Sequence, residues 1–102
     1  MNQAHLLAQV KKMQAEMAKA QEELANTIVT GAAAGGSVTV DATCDQRIKR
    51  VKIAGEAVDP SDVETLEDLV MVAVNDALAK AAETSQKRMA TVTGGMRVPG
   101  LM

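Results

Sequence analysis

The sequence of 102 residues contains no phenylalanine, tyrosine or tryptophan. Proteins that read single-stranded nucleic acid usually stack its bases on aromatic rings, so this mode of binding is disfavoured. A nucleic-acid ligand would have to be held through phosphates, groove shape or small side chains. A core made only of Ala, Val, Leu, Ile and Met also buries less area per residue, which suggests that a second chain completes it.

Cysteine and histidine are almost as scarce as aromatic residues, since Cys44 and His5 are the only ones of their kinds. One cysteine forms no internal disulfide, which agrees with a reducing compartment. One thiol and one imidazole do not make a zinc site. Cys44 continues the alternation of Val38, Val40 and Ala42, so we expect it to be a small buried side chain on the inner face of a strand.

Long apolar runs are also missing. No stretch of about 18 or more apolar residues occurs, which predicts that no segment spans a membrane. The first residues lack the basic and then uninterrupted apolar stretches of a signal peptide. We therefore expect a cytoplasmic protein, and the length is most simply that of a single domain with one modest core.

The patterns that could support catalysis are weak. The segment TGAAAGGS lacks the Gly-Lys-Ser/Thr ending of a phosphate loop and precedes a strand pattern rather than a helix. No serine has a base at the spacing of a nucleophile motif. The acids that cluster near a predicted helix start favour capping and a solvated face over a metal site: Asp59, Asp62, Glu64, Glu67, Asp68 and Asp76. We expect no enzyme, no cofactor and no small-molecule substrate.

Two helices flank the predicted fold. Residues 3–25 form the first, because six apolar residues follow alternating steps of four and three: Leu6, Val10, Met13, Met17, Ala20 and Leu24. Asp59 as the cap and Pro60 as the first helical residue predict a second helix over residues 60–91. The domain is expected to cover residues 1–92, and residues 93–102, which are rich in glycine, proline and methionine, are expected to form a flexible tail.

Three strands are predicted between the helices, over about residues 27–32, 37–43 and 47–53, as an antiparallel meander. The third lies in the segment QRIKRVKIAG, where Val51 and Ile53 fall on one face and Ile48 on the other. Either a bulge shifts the register between Ile48 and Val51, or opposite ends of the strand are covered from opposite sides. The second alternative points to a dimer.

The predicted second helix contains LVMVAV, residues 69–74, which is apolar on every side and must be enclosed. One helix on a three-stranded sheet cannot enclose it within one chain. We therefore expect a homodimer whose interface includes six residues: Val51, Ile53, Leu69, Val70, Val72 and Val74. The last third of this helix is more polar and is expected to project as an arm.

The net charge is only −2, but acidic and basic residues are concentrated in different segments of the chain. Acids concentrate at the start of the second helix, whereas bases concentrate on the first helix, on the third strand and at the far end of the second helix. Phosphate binding needs local positive potential rather than a positive total. A lysine-rich helix is also a common soluble surface, and bases on an edge strand also block aggregation, so the pattern alone leaves these alternatives open.

The order of these segments resembles the YbaB/EbfC family of nucleoid-associated bacterial proteins. The residues that carry the resemblance are KKMQAEMAKAQEELA, a hairpin centred on two glycines, IKRVKI, VDPSDVETLEDLVMVAVNDALAKA and the closing TGGM and PGLM. The resemblance covers nearly the whole chain and implies an α+β protomer in an intertwined, tweezer-like homodimer. It also implies binding of double-stranded DNA with loose sequence preference, and a role in organising the nucleoid or regulating expression.

In this family DNA contact is associated with the first and last helices, which implies six contacts here: Lys11, Lys12, Lys19, Lys80, Lys87 and Arg88. The third strand would supply secondary contacts: Arg47, Lys49, Arg50 and Lys52. Because the chain is mildly acidic, DNA binding should be weak and strongly dependent on salt. The competing hypothesis is a protein-interaction module that grips unfolded chains with helical arms, similar to a prefoldin subunit. A carboxylate-based metal enzyme is a distant third.

Overall fold

A computed structural model describes residues 3–93 as two helices and three strands. The elements are α1 (Gln3–Ala25), β1 (Ile28–Ala33), β2 (Val38–Thr43), β3 (Ile48–Ile53) and α2 (Val63–Thr93). The strands pair in the order β1-β2-β3, and both pairs are antiparallel. This confirms the predicted order of an N-terminal helix, an antiparallel meander and a long C-terminal helix. Of the predicted tail, Thr93 belongs to α2, and the remainder lies outside the described residues.

The core lies between α2 and one face of the sheet, which we call the inner face. Alternate residues of β2, Val38, Val40 and Ala42, are fully buried there. They face Ala73 and Ala77 of α2, and partly buried leucines and valines of the same helix pack around them. Since side chains alternate along a strand, the other face of β2 points away from α2.

The backbone of α2 lies directly against β1. A Cβ atom added to Gly31 would lie only 2.2 Å from the Ala77 nitrogen and 2.4 Å from the Ala73 carbonyl oxygen. The helix residues on this side, Ala73, Ala77 and Ala81, are all fully buried. Their spacing of four places three small side chains on one face of the helix, which lets its backbone approach the strand.

The second half of α2 packs against α1 to form an arm. Ala20 and Leu24 of α1 and Val92 of α2 are buried in this contact. Across it, Arg88 Nε donates to the Glu23 carboxylate at 2.8 Å. The described structure is elongated, with principal extents of 71 × 27 × 17 Å. Its radius of gyration, 19.6 Å, exceeds the ~13 Å of a compact domain of this size.

The start of α2 differs from the prediction, because the helix begins at Val63 and not at residue 60. Asp62 supplies the cap, since its carboxylate accepts hydrogen bonds from the Thr65 backbone N–H at 3.3 Å and hydroxyl at 2.6 Å. Asp59 instead accepts from the backbone N–H and hydroxyl of Ser61 in the preceding turn. These two bonds lower the pKa of Asp59.

The broken alternation of β3 results from a bulge. Arg50 pairs with Asp41 and Ile48 pairs with Ala42, so Lys49 has no partner on β2. Residues that pair across two strands have their side chains on the same face of the sheet. The extra residue shifts the alternation of β3 by one position, so that Ile48 falls on the same face as Val51 and Ile53. The apolar residues of β3 all lie on the inner face: Ile48, Val51 and Ile53. Of the two explanations that the sequence left open, the described structure contains the bulge.

Replacing Gly31 with alanine should destabilise the fold by about 1–3 kcal/mol or more, because the new methyl group meets helix backbone that has no rotamer to change. Urea unfolding midpoints measure the loss. The matched control is Gly55→Ala, where an added Cβ meets nothing within 4 Å and the expected change is within about 0.5 kcal/mol. Equal midpoints for the two variants would contradict the close approach of α2 to β1.

The Glu23–Arg88 pair should make the stability of the arm depend on pH in acid. The hydrogen bond from Arg88 lowers the pKa of Glu23. The stability that the ionised carboxylate contributes is therefore complete above the ordinary glutamate pKa, and it is lost as the pH falls through the lowered value. Glu23→Gln removes this titration, so its deficit in unfolding free energy relative to wild type should shrink as the pH falls.

Glu22→Gln is the control for this pH series. Glu22 is the exposed neighbour of Glu23 on α1 and has no ion pair among residues 3–93. Its difference from wild type should stay nearly constant over the same pH range. A constant difference for Glu23→Gln as well would show that the pair does not stabilise the arm.

Candidate nucleic-acid interface

Asp76 and Lys80, one turn apart on α2, close the outer edge of β1. The Asp76 carboxylate accepts from the Ala32 backbone N–H at 3.0 Å, and the Lys80 ammonium donates to the Thr30 carbonyl at 3.2 Å. The two side chains also form an ion pair at 3.1 Å. The Ala32 N–H, followed by Lys80, lowers the pKa of Asp76. Lys80, a predicted DNA contact, therefore already has two partners within the protein.

The other two predicted contacts on α2 differ from each other. Arg88 is bound to Glu23 and also donates from Nη1 to the Thr91 hydroxyl at 2.8 Å. Lys87 forms an ion pair with Glu83 at 3.0 Å in which both side chains are largely exposed. Exposed pairs of this kind contribute little to stability. Lys87 could exchange its partner for a phosphate at small cost, whereas Arg88 would give up contacts that hold the arm together.

The three predicted contacts on α1, Lys11, Lys12 and Lys19, are exposed. None of them forms an ion pair within residues 3–93. Lys19 lies beside Arg88 in an open depression at the contact between the helices. Lys12 and Lys19 are two turns apart and share one side of α1. The arm thus carries several cations that are available to a ligand.

Arg47, directly before β3, and the three bases of β3 form the densest group of unpaired positive charge in the described part of the chain. All four are exposed, and the ion pairs between residues 3 and 93 include none of them: Arg47, Lys49, Arg50 and Lys52. Arg50 pairs with Asp41 and Lys52 with Thr39, so these two bases lie on the face of the sheet away from α2, the outer face.

Negative charge is concentrated at the N-terminal end of α2 and in the segment before it. Residues 54–75 contain six acids and no base: Glu56, Asp59, Asp62, Glu64, Glu67 and Asp68. At about 1.5 Å of rise per residue, Glu64 and Arg88 are separated by about 36 Å along the helix axis. This distance is several times the Debye length of about 10 Å at 0.1 M salt, so these acids hardly reduce the potential at the arm.

The residues predicted to form a dimer interface remain accessible in the single chain. Val51, Ile53 and Val72 are 44%, 39% and 50% exposed. Three more are only half-buried: Leu69, Val70 and Val74. Ile48 and Met71, which are outside the predicted set, are 42% and 56% exposed beside them. Because α2 packs mainly on β1 and β2, the inner face of β3 is left largely uncovered.

The described residues contain neither a metal centre nor a membrane span. In this part of the chain, no group of three or more His, Cys, Asp or Glu side chains is arranged to hold a metal ion. None of its helices combines the length and the hydropathy needed to cross a bilayer. His5 lies on α1, and Cys44 is buried at the end of β2.

Comparison with known proteins identifies the family. A profile of the YbaB/EbfC DNA-binding family matches residues 1–96. A nucleoid-associated protein of a Roseiflexus species is 48% identical over 100 residues, which cover 98% of this chain and 99% of the relative. A nucleoid-associated protein of Chloroflexus aurantiacus is 46% identical over 97 residues, which cover 95% and 97%.

A solved structure shows the same fold. It is the crystal structure of an uncharacterized protein from Helicobacter pylori, with a TM-score of 0.74 at 24% identity, and the match covers 89% of this chain and 95% of that one. At this identity the likeness shows the fold alone. The family follows from the sequence matches, and the resemblance drawn from the sequence is confirmed: the chain belongs to the YbaB/EbfC DNA-binding family.

Proposed function

We propose that the protein binds double-stranded DNA as a homodimer, mainly through phosphate contacts and with loose sequence preference. The observation that carries the proposal is the set of unpaired bases on α1 and β3, together with the distance of the arm from the acids at the start of α2. Membership of a DNA-binding family supplies the class of ligand. The relatives are named nucleoid-associated proteins, so the proposed location is the cytoplasmic nucleoid, which the protein would organise, with effects on gene expression.

Phosphate contacts suit the side chains that are present. Lysines on an exposed helix neutralise backbone charge and release counterions without reading the bases. The chain has no phenylalanine, tyrosine or tryptophan ring on which to stack an unpaired base, so an intact duplex is the better ligand. The proposed arm contacts are the three lysines of α1 and Lys87. Lys80 and Arg88 are also proposed as DNA contacts, although Lys80 is hydrogen-bonded to β1 and Arg88 to α1 within the protein.

The difference between the two edge strands of the sheet, of which one is covered and one is open, supports the homodimer. Asp76 and Lys80 occupy backbone groups at the edge of β1, whereas no described strand or helix covers the outer edge of β3. The inner face of β3 also leaves Ile48, Val51 and Ile53 exposed. A second copy of the chain placed against β3 would cover this apolar face. It would also cover the exposed apolar residues of α2, Met71 and Val72. Left uncovered, such an edge would favour aggregation.

One observation favours the alternative of a protein-interaction module. Near the start of α1, Leu6, Leu7 and Val10 are 48%, 60% and 42% exposed. Apolar side chains at the end of an arm would suit the capture of unfolded chains. The family evidence favours DNA, and the two functions separate in a binding assay.

Changing Lys11, Lys12 and Lys19 together to glutamine should weaken binding to a random-sequence duplex. The plot of log K against log salt should also become shallower, by about 0.9 for each phosphate that the variant no longer neutralises. Fluorescence anisotropy across a salt series measures both effects. The matched control replaces the same three lysines with arginine, which keeps the charge and should bind like wild type.

Two results would count against the DNA proposal in this series. A slope that is the same in the glutamine and arginine variants would show that α1 does not contact phosphate. Absence of binding by the wild type at low salt, together with suppressed aggregation of an unfolded client protein, would favour the protein-interaction module instead.

Ile53→Asp should convert the homodimer into a folded monomer. The side chain is 39% exposed in the single chain, so a carboxylate is tolerated there until a partner buries it. Sedimentation equilibrium should give twice the chain mass for wild type and the chain mass for the variant, with unchanged helicity. Thr39→Asp, on the outer face of β2, is the control and should stay dimeric. A variant that remains a dimer would remove β3 from the interface.

A further inference from the structure

The bulge at Lys49 gives β3 two chemically different faces. On the inner face the register aligns its three apolar residues with the buried row of β2. On the outer face it aligns Arg50 and Lys52 with Asp41 and Thr39. Without the extra residue, simple alternation would put apolar and basic side chains on both faces. The strand can therefore take part in assembly on one side while its bases stay in solvent on the other.

The outer face is open and offers little competing negative charge. α2 covers the inner face over β1 and β2, and α1 packs mainly on α2. Besides Arg50 and Lys52, the outer face carries the small residues Thr30, Ala32 and Thr39. Its acid within the paired strands, Asp41, accepts a hydrogen bond from the Thr30 hydroxyl at 2.8 Å and forms no ion pair with a described base.

The spacing of the two bases fits a polyanion. Residues two apart on a strand are separated by about 6.6 Å. At this separation the two cations can meet neighbouring phosphates of one DNA strand. Threonine hydroxyls add neutral donors of the kind that contact phosphate oxygens. A flat face with aligned cations and small neighbours lets a duplex backbone approach closely.

Protection of an edge strand is the competing explanation for these bases. It accounts for some positive charge on β3, but not for the alignment of two bases on the face that points away from the apolar surface. Of these two bases, Lys52 lies opposite the neutral Thr39, and Arg50 lies opposite Asp41 without an ion pair between them.

We propose that the outer face along β3 is a second phosphate-binding surface for double-stranded DNA, with Arg50 and Lys52 as its main contacts. Lys49, at the arm end of the same strand, and Arg47, directly before the strand, extend this surface. The inference rests on the proposed DNA binding and adds to it a site separate from the arms. In a dimer formed through β3, the outer faces of two copies lie next to each other, which doubles the local positive charge.

The test compares two variants that remove the same charge from different places. The β3 variant carries Arg50→Gln and Lys52→Gln, and the α1 variant carries Lys11→Gln and Lys12→Gln, both in the full chain. The affinity of each for the duplex is measured across a salt series. The β3 variant should lose at least about tenfold in affinity at 50 mM salt, and its salt slope should fall by about 2 per chain if each base contacts one phosphate. Exchanging the two bases, Arg50→Lys with Lys52→Arg, should preserve both quantities.

The outcomes separate this inference from the broader proposal. A reduced slope in the α1 variant with an unchanged slope in the β3 variant would overturn the inference and leave DNA binding by the arms intact. Increased light scattering by the β3 variant with unchanged binding would show that Arg50 and Lys52 only protect the edge. If the wild type fails to bind the duplex, both proposals are wrong.

A second measurement needs no variant and so does not depend on folding of a mutant. Wild-type protein is treated with a lysine-acetylating reagent with and without duplex, and modification is quantified by mass spectrometry. Bound duplex should protect Lys52 at least several-fold. Equal acetylation of Lys52 in the bound and free protein would overturn the inference even if protection is seen on α1.

Discussion

The contact of the α2 backbone with β1 at Gly31 sets the position of almost everything else in the structure. Because Ala73 and Ala77 meet the strand with no intervening side chain, α2 is fixed over β1 and β2 at close range. At that range Asp76 and Lys80 reach backbone groups at the edge of β1 and close it. The same placement leaves the inner face of β3 largely uncovered. The remaining length of α2 then runs past the sheet and packs on α1 as an arm.

This tight contact has an energetic consequence. Alanines and a glycine bury little apolar area, and burial of apolar area is the main favourable term in folding. The side chains with more apolar area, on the flanks of α2 and on β3, are only partly covered in the single chain. The close approach of the helix to the sheet leaves room only for small side chains, so the single chain has a small internal core. A second copy on the uncovered surface would supply the missing burial, which is why the proposed homodimer fits the fold.

The sequence was sufficient to predict the elements, because apolar periodicity and turn residues are local signals. The sequence was insufficient to predict the start of α2 and the register of β3, because two local signals competed at each place. Asp59 with Ser61 and Asp62 with Thr65 are both capping patterns within one turn, and the second one starts the helix. Alternation alone also could not distinguish a bulge in β3 from cover on two sides. The prediction took the first cap and the helix starts at the second, whereas for β3 the strand register shows which of the two alternatives holds.

The candidate site was harder to predict, because the partners of its bases are distant in sequence. The hydrogen bonds of Lys80 to Thr30 and of Arg88 to Glu23 span 50 and 65 residues. No local pattern separates such bases from Lys11 or Lys12, which have the same charge and no ion pair within the described residues. Gly31 presented the same difficulty, since a glycine near a turn suggests a loop and not a packing contact.

The mildly acidic total charge is compatible with DNA binding because the acids have a structural reason to be where they are. Carboxylates near a helix N-terminus are stabilised by the helix dipole and by free backbone N–H groups, and Asp62 and Glu64 occupy that end of α2. The helix then separates these acids from the arm by more than a Debye length. A duplex held at α1 would therefore experience mainly the local positive potential of the arm, and the acidic end would oppose binding in the reverse orientation. The number of phosphates neutralised would set how strongly salt weakens such a complex, and the position of each base on the fold would decide where a duplex lies.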